Sequence, residues 1–183
     1  CIKQAVRGFS GIKLADDTTG EVFEFLLERF KAWSMDEGVT AEEFQSVFAI
    51  KPTRPRDFHM RVLAVHNFNQ LPESASLASA NKRVPNLIAN QDFSVQGLSV
   101  KKELLREPAE QALYKALEDK MLEVTPMFEN GAYKEGLQSL ACLKKSVDTF
   151  FEEVLVMCED TALRDNRLAL LQELRHLFLQ TAD

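Results

Sequence analysis

Glycine and proline are scarce in this chain of 183 residues, at seven and six. An all-β fold needs many tight turns, so this scarcity argues against one. Cysteine is scarcer still: Cys1, Cys142 and Cys158 stand without metal-like spacing. An odd count with no secretory leader points to a reducing compartment, and Cys142 and Cys158 fall in helical pattern, where a small buried thiol is the ordinary role. No run of about 18 apolar residues occurs, so no membrane span is expected. The first residues, Cys1 to Gly11, lack the apolar stretch of a signal peptide. The chain begins at Cys1 rather than Met and is expected to be a piece of a longer protein.

The motifs of several chemistries are missing too. There is no GxxxxGKS/T or GxGxxG loop to cradle phosphates, and no HExxH or CxxC to bind a metal. His59 and His66 lie seven residues apart in helical pattern, hence roughly on one face, but lack a third ligand. Carboxylate pairs such as Glu152-Glu153 and Glu159-Asp160 read as helix surface and helix start rather than as an acid/base pair. The chain is therefore read as non-catalytic by itself, with no metal site.

What is present is a hydrophobic fraction of 45%, ample for a packed core, and an uneven charge. The chain carries a net charge of −6. Between Lys51 and Arg106, however, nine basic residues face four acidic ones, a local net of +5. Clustered Lys and Arg concentrate phosphates, so the island suggests an anionic partner; a solvated helical surface of uneven charge is the bland alternative.

Hydrophobic periodicity predicts helices throughout. Val22, Leu26, Phe30 and Trp33, widened by Phe23 and Leu27, form the stripe of a helix over Glu21–Glu37 that Gly38 ends. Thr40 and Glu43 read as a capping box opening a short helix to Ala49. After the rigid Lys51–Pro55 connector, a third helix is expected over Arg56–Gln70, with Val62, Val65 and Phe68 or Asn69 inward. Ser74 opens a fourth with Leu77, Ala80 and Val84 on one side. Pro85 sits inside it and predicts a kink or a break into two helices, leaving the Asn81 carbonyl without its donor. Asn90–Ser99 reads as a long connection. Glu107-Pro108 starts a helix that reaches Asn130-Gly131, with a bend expected at Pro126, and further helices are expected over Tyr133–Met157 and from Glu159-Asp160-Thr161 to Gln180. The sum is an all-α bundle of about seven helices, with residues 1–19 a remnant of a preceding segment or linker and 20–183 the helical domain.

Several phrases are more specific than periodicity. They are Arg54-Pro55-Arg56-Asp57-Phe58 leading to Arg61-Val62; Ala80-Asn81-Lys82-Arg83-Val84; Glu107-Pro108-Ala109-Glu110; Val147-Asp148 with Phe150-Phe151; Leu163-Arg164 with Asn166-Arg167-Leu168; and Leu174-Arg175 with Leu177-Phe178-Leu179. In this order and spacing, over Glu21–Asp183, they resemble the C-terminal anticodon-binding (DALR-like) domain of the bacterial glycyl-tRNA synthetase beta subunit. That domain is similar to the helical anticodon-binding domain of class I arginyl-type tRNA synthetases. Two positions depart from the family pattern: Pro85, where a helix-compatible residue is expected, and Ser146, where a proline is usual.

The resemblance implies a tRNA-recognition domain acting in the cytoplasm. Glycine tRNA would be its partner, with the alpha subunit in an alpha2beta2-type complex, and no membrane. In the parent complex ATP and Mg²⁺ serve the alpha subunit's chemistry; no cofactor is implied for this piece. Single-stranded loops are read by stacking and by hydrogen bonds to base edges, and are held by Lys and Arg on phosphates. Glycine anticodons carry adjacent cytosines, whose readers must offer an acceptor for N4 and donors for N3 and O2. Asn81 is the candidate for a base edge, with Lys82 or Arg83 for phosphate, or Arg83 in an ion pair with a neighbouring helix. Arg54, Arg56 and Arg61 are candidates for the tRNA backbone, Asn86 completes the α-helical cluster, and Phe58 and Phe68 are stacking candidates or core. Arg164 and Arg167 stand open between helix ion pairs, packing braces and RNA contacts; Arg164 lies four residues after Asp160. The rival from another class is a non-catalytic helical protein–protein module, which predicts an exposed apolar patch.

Overall fold

A computed structural model describes residues 2–9, 11–89 and 99–183. The connection expected at Asn90–Ser99 lies outside the described residues except for Ser99, and Cys1 lies outside them too. The described elements are helical: α1 Ile2–Val6, α2 Thr18–Asp36, α3 Ala41–Ala49, α4 Pro55–Asn69, α5 Ser74–Ala89, α6 Pro108–Glu129, α7 Tyr133–Leu140, α8 Lys144–Glu153 and α9 Thr161–Leu179. Short 3-10 turns cover Lys102–Leu104 and Ala141–Leu143. Among the described residues no helix is long and apolar enough to cross a membrane. The chain divides into two compact units, residues 1–45 and 46–183, and the division falls inside α3.

In the smaller unit, α2 ends as its glycine foretold. Gly38 has φ 90°, a left-handed conformation that costs glycine little. Its N–H reaches the Met35 carbonyl and the Val39 N–H reaches that of Ser34, the paired bonds of a Schellman cap. The capping box forms as well: Thr40 N–H donates to Glu43 Oε2 at 2.9 Å and Glu43 N–H to Thr40 Oγ1 at 3.2 Å. The apolar stripe of α2 does not become core. Phe30 packs near Trp33 and Phe44, but Val22, Phe23, Phe25, Leu26 and Trp33 are all exposed. Periodicity made these residues a stripe; it did not say what would cover them.

The larger unit is built around α9. Leu168, Leu170, Leu171, Leu174 and Leu177 are fully buried, which places apolar contacts around about half of its girth. α5 and α6 pack on α9, α6 also holds α7 and α8, and α4 lies on α7. Of the inward set expected for α4, Val62 and Phe68 are buried and Val65 is half-buried; that of α5, Leu77, Ala80 and Val84, is buried. Gly136 lets α7 approach α6, since a Cβ there would overlap the Phe128 ring.

Two helix expectations are revised. Of the kink or break expected at Pro85, the break does not form: α5 runs through its proline, as α6 does through Pro126. In α5, Leu77, Ala80 and Val84 are buried before Pro85, Leu87 and Ile88 pack half-buried on the core beyond it, and this packing outweighs a cost of about 3 kcal/mol. The helix expected over Tyr133–Met157 is instead α7, a 3-10 turn and α8, which stops at Glu153. A 3-10 turn brings residues three apart onto one side, and Leu140 and Leu143 are both buried there. Beyond Glu153 the backbone extends, at φ −109° and ψ 120° for Val154, and the Leu155 carbonyl accepts a hydrogen bond from Arg167 instead of a helical N–H.

Candidate nucleic-acid interface

α4 begins at Pro55, whose fixed φ suits a first helical turn and whose missing N–H leaves no orphan donor. This start exposes Arg54 and Arg56. Arg61, little more than a turn further, points the other way. Its Nε pairs with Asp57 Oδ2 at 2.9 Å, one terminal nitrogen donates to Tyr133 Oη at 2.8 Å, and the other bonds the Gln180 carbonyl. The guanidinium also stacks 4.2 Å from the Tyr133 ring centre. Burial, then the hydrogen bond to Asp57, pushes the Tyr133 hydroxyl above its ordinary pKa, so it remains a donor at neutral pH. The expected backbone contact of Arg61 is thus replaced by a brace joining α4, α7 and the end of α9, because its donors are already committed within the protein.

α5 carries the Asn81-Lys82-Arg83 cluster and Asn86. With about 100° between successive residues, the four cannot share one face. Lys82, Arg83 and Asn86 are exposed. Asn81 is half-buried, and its amide oxygen is enclosed without a hydrogen-bond partner. The acceptor expected for a cytosine N4 is therefore turned inward. Arg83 makes no ion pair of the kind weighed for it among the described residues; its guanidinium lies 4.3 Å from the centre of the Phe151 ring. Arg83 itself is exposed, so this contact contributes about 0.5–1 kcal/mol and leaves the edge donors of the guanidinium to solvent. Phe58 and Phe68 are buried core residues, not exposed stacking platforms.

The α9 arginines divide similarly. The Asp160 carboxylate caps α9 through the N–H groups of Ala162 and Leu163 at 3.0 and 3.2 Å, and Arg164 leans on Asp165 at 3.4 Å. The Arg167 side chain is 8% exposed and pairs with Glu110, which is 1% exposed. Glu110 Oε2 in turn accepts the N–H groups of Arg106 and Glu107 at 2.7 and 2.9 Å, and Arg167 donates to the Leu155 carbonyl at 2.9 Å. Every charge in this pair is compensated, as burial requires. Of the open alternatives for Arg167, the packing brace is the one formed. Asn166, beside it, clasps both the N–H and the carbonyl of Lys101 at 2.7 and 3.1 Å and pins that segment to α9.

A family model for the DALR anticodon binding domain matches residues 77–182, more than half of the chain. The chain belongs to the DALR anticodon-binding family. Its matched part runs from within α5 to the chain's last residues, so it includes Asn81-Lys82-Arg83 and all of α9. The DALR domain and its flanking residues are also 48% identical to the glycine--tRNA ligase beta subunit of Marinobacter nauticus, over 92% of this chain and 24% of that protein. They are 47% identical to the subunit of Edwardsiella ictaluri over 99% of this chain, and 46% identical to that of Aeromonas salmonicida over all of it. The chain spans about a quarter of the length of the curated relatives it matches.

Within the DALR domain the last turn of α9 is a meeting point. The Gln180 carbonyl binds Arg61 of α4, and Leu179, its neighbour, lines an open cleft against α5. The cleft, about 560 Å³, is walled by Pro85, Ile88 and Ala89 from α5 and by Gln172, Arg175, His176 and Leu179 from α9. The basic residues of the island differ in what they touch. Lys102 bonds Glu118 at 2.9 Å and sits over Tyr114, while Arg54, Arg56, Lys82 and Arg83 remain exposed. The cleft residues of α9 escaped the sequence reading; Gln172, Arg175, His176 and Leu179 recur at helical spacing, but so does the buried leucine set beside them. Among the described residues no group of three His, Cys, Asp or Glu side chains could hold a metal ion.

Proposed function

We propose that this DALR domain recognises the anticodon loop of glycine tRNA and serves a longer glycine–tRNA ligase beta subunit as its tRNA-reading part. The observation that carries the reading is the exposed Lys82, Arg83 and Asn86 on α5, inside the family match, with Arg54 and Arg56 exposed on α4. Ammonium and guanidinium groups on an exposed helix suit phosphates, whose neutralisation makes binding fall steeply with salt. Arg164, half-buried on α9, remains a candidate for a backbone contact, whereas Arg61 and Arg167 act through the fold. On this reading the segment contributes recognition and no bond-making step. Glycine activation with ATP and Mg²⁺ falls to an alpha subunit partner in the cytoplasm, and this segment holds no cofactor.

The test is a titration of the chain with a glycine-tRNA anticodon stem-loop and with a loop whose anticodon cytosines are replaced, at two salt concentrations. Preference for the cytosine loop, with affinity falling as salt rises, supports the reading. Equal affinity for both loops sinks anticodon recognition.

A second reading concerns the unit of residues 1–45. Its α2 exposes Val22, Phe23, Phe25, Leu26 and Trp33, the apolar patch that a protein–protein module predicts. The relatives are about four times as long as this chain, and we assign the patch to packing against that remaining part of the polypeptide. Hydrogen exchange of α2 that is no slower in the full-length subunit than in the isolated chain would rule this out.

A further inference from the structure

We propose that the cleft between the second half of α5 and the last turns of α9 is a subsite for one unstacked nucleobase, a cytosine of the bound loop; this rests on the anticodon-binding reading above. At about 560 Å³ the cleft falls within the roughly 300–1,000 Å³ of small-ligand pockets. Its walls are chemically split. Pro85, Ile88, Ala89 and Leu179 offer apolar surface for the faces of a flat ring, and His176 adds an aromatic one. Gln172 and Arg175 supply the polar groups. A side-chain amide has both an acceptor and donors, and a guanidinium has donors alone. Cytosine presents one exocyclic donor, N4, and the acceptors N3 and O2. The Gln172 carbonyl matches the first, and the Gln172 amino group and Arg175 match the others. The pair Arg175–Asp183 holds that guanidinium in place.

Three further observations point to the same cleft. The Asn81 amide oxygen, the other candidate acceptor, is enclosed and unable to meet a base. Pro85 puts the apolar edge of its ring in the cleft wall at a position where α5 remains helical. Lys82 precedes Pro85 by three residues and Asn86 precedes Ala89 by three, so the exposed phosphate-binding groups are helical neighbours of the cleft wall. A strand held on Lys82 and Arg83 by its phosphates can therefore deliver a base into the cleft within one helical turn.

The experiment compares the wild-type chain with Ala89→Trp, which fills the cleft from an exposed position, and with His176→Ala, which removes an exposed ring. Each is titrated with the cytosine loop and with a loop carrying uracil in place of the anticodon cytosines, and helicity is checked by circular dichroism. Losing a stacked base corresponds to about a 10-fold or larger fall in affinity. Both variants should weaken the cytosine loop by about that factor, bring it to the level of the uracil loop and leave the salt slope unchanged. His176→Ala keeps the test decisive if the tryptophan disturbs packing. Variants that retain the wild-type preference overturn the cleft assignment while anticodon recognition stands. A wild-type chain without preference overturns both.

Discussion

Arg61 of α4 and Arg167 of α9 are like the basic residues of α5 in the sequence and opposite to them in the structure. Arg61 and Arg167 sit where helices meet, each guanidinium with a carboxylate and a carbonyl partner, and that of Arg61 with the Tyr133 hydroxyl as well. Lys82 and Arg83 sit on an exposed helix face, one of them resting on a phenyl ring. A basic residue is a binding group only where its donors are left over. A charge island counted along the sequence mixes the two kinds.

The comparison can be broken most sharply at the buried pair. Arg167→Ala strands the Glu110 carboxylate and should cost about 3–5 kcal/mol in urea unfolding, because an uncompensated buried charge remains. A double replacement of Arg167 and Glu110 by leucine should cost less than the single change. A loss below about 1 kcal/mol for Arg167→Ala would mean the pair is not a brace. Next in size is Gly136→Ala, which pushes a methyl into Phe128 and should destabilise by about 1–3 kcal/mol without altering the salt slope of RNA binding.

The opposite pole is Lys82→Ala with Arg83→Ala. Stability should change by no more than about 1 kcal/mol, the lost ring contact included, while the slope of log affinity against log salt falls by about 1–2. Unchanged binding would move the phosphate contacts elsewhere. Tyr133→Phe is a milder probe of the Arg61 brace: it removes the hydroxyl between Asp57 and Arg61 and should cost about 1 kcal/mol, with RNA affinity unaltered.

The smallest effect is expected at Glu173. Burial, and secondarily the nearby Glu118, raises its pKa, against a hydrogen bond from the Val100 backbone. A carboxyl raised in the folded state favours folding while protonated. That advantage is complete below the unfolded-state pKa and is lost as pH rises through the folded value. Glu173→Gln should therefore raise the melting temperature slightly at pH 7 and lose that gain in mildly acidic solution. A gain of equal size at both pH values would point to packing instead of charge.

Much of the architecture was legible because it is local. The Thr40–Glu43 box, the Gly38 and Gly131 stops, the start at Glu107-Pro108 and the inward set Leu77, Ala80, Val84 each follow from a few neighbouring residues. A break at Pro85 was the less legible alternative to exclude: the lost hydrogen bond is local, but the packing that outweighs it comes from other helices. The site was legible in part. Lys82, Arg83 and Asn86 were found by type and order, while the cleft was not, because its walls lie more than eighty residues apart in the chain.

An all-helical chain, the bounds of most helices and membership of an anticodon-binding family are legible in the residues alone, since periodicity, capping chemistry and ordered motifs are written residue by residue. Only the tertiary structure decided which arginines are braces and which are exposed, that α2's apolar stripe stays uncovered in this chain, and that Gln172, Arg175 and His176 face Pro85. Those outcomes depend on which surfaces meet, and a guanidinium's partners are chosen by the helices packed around it.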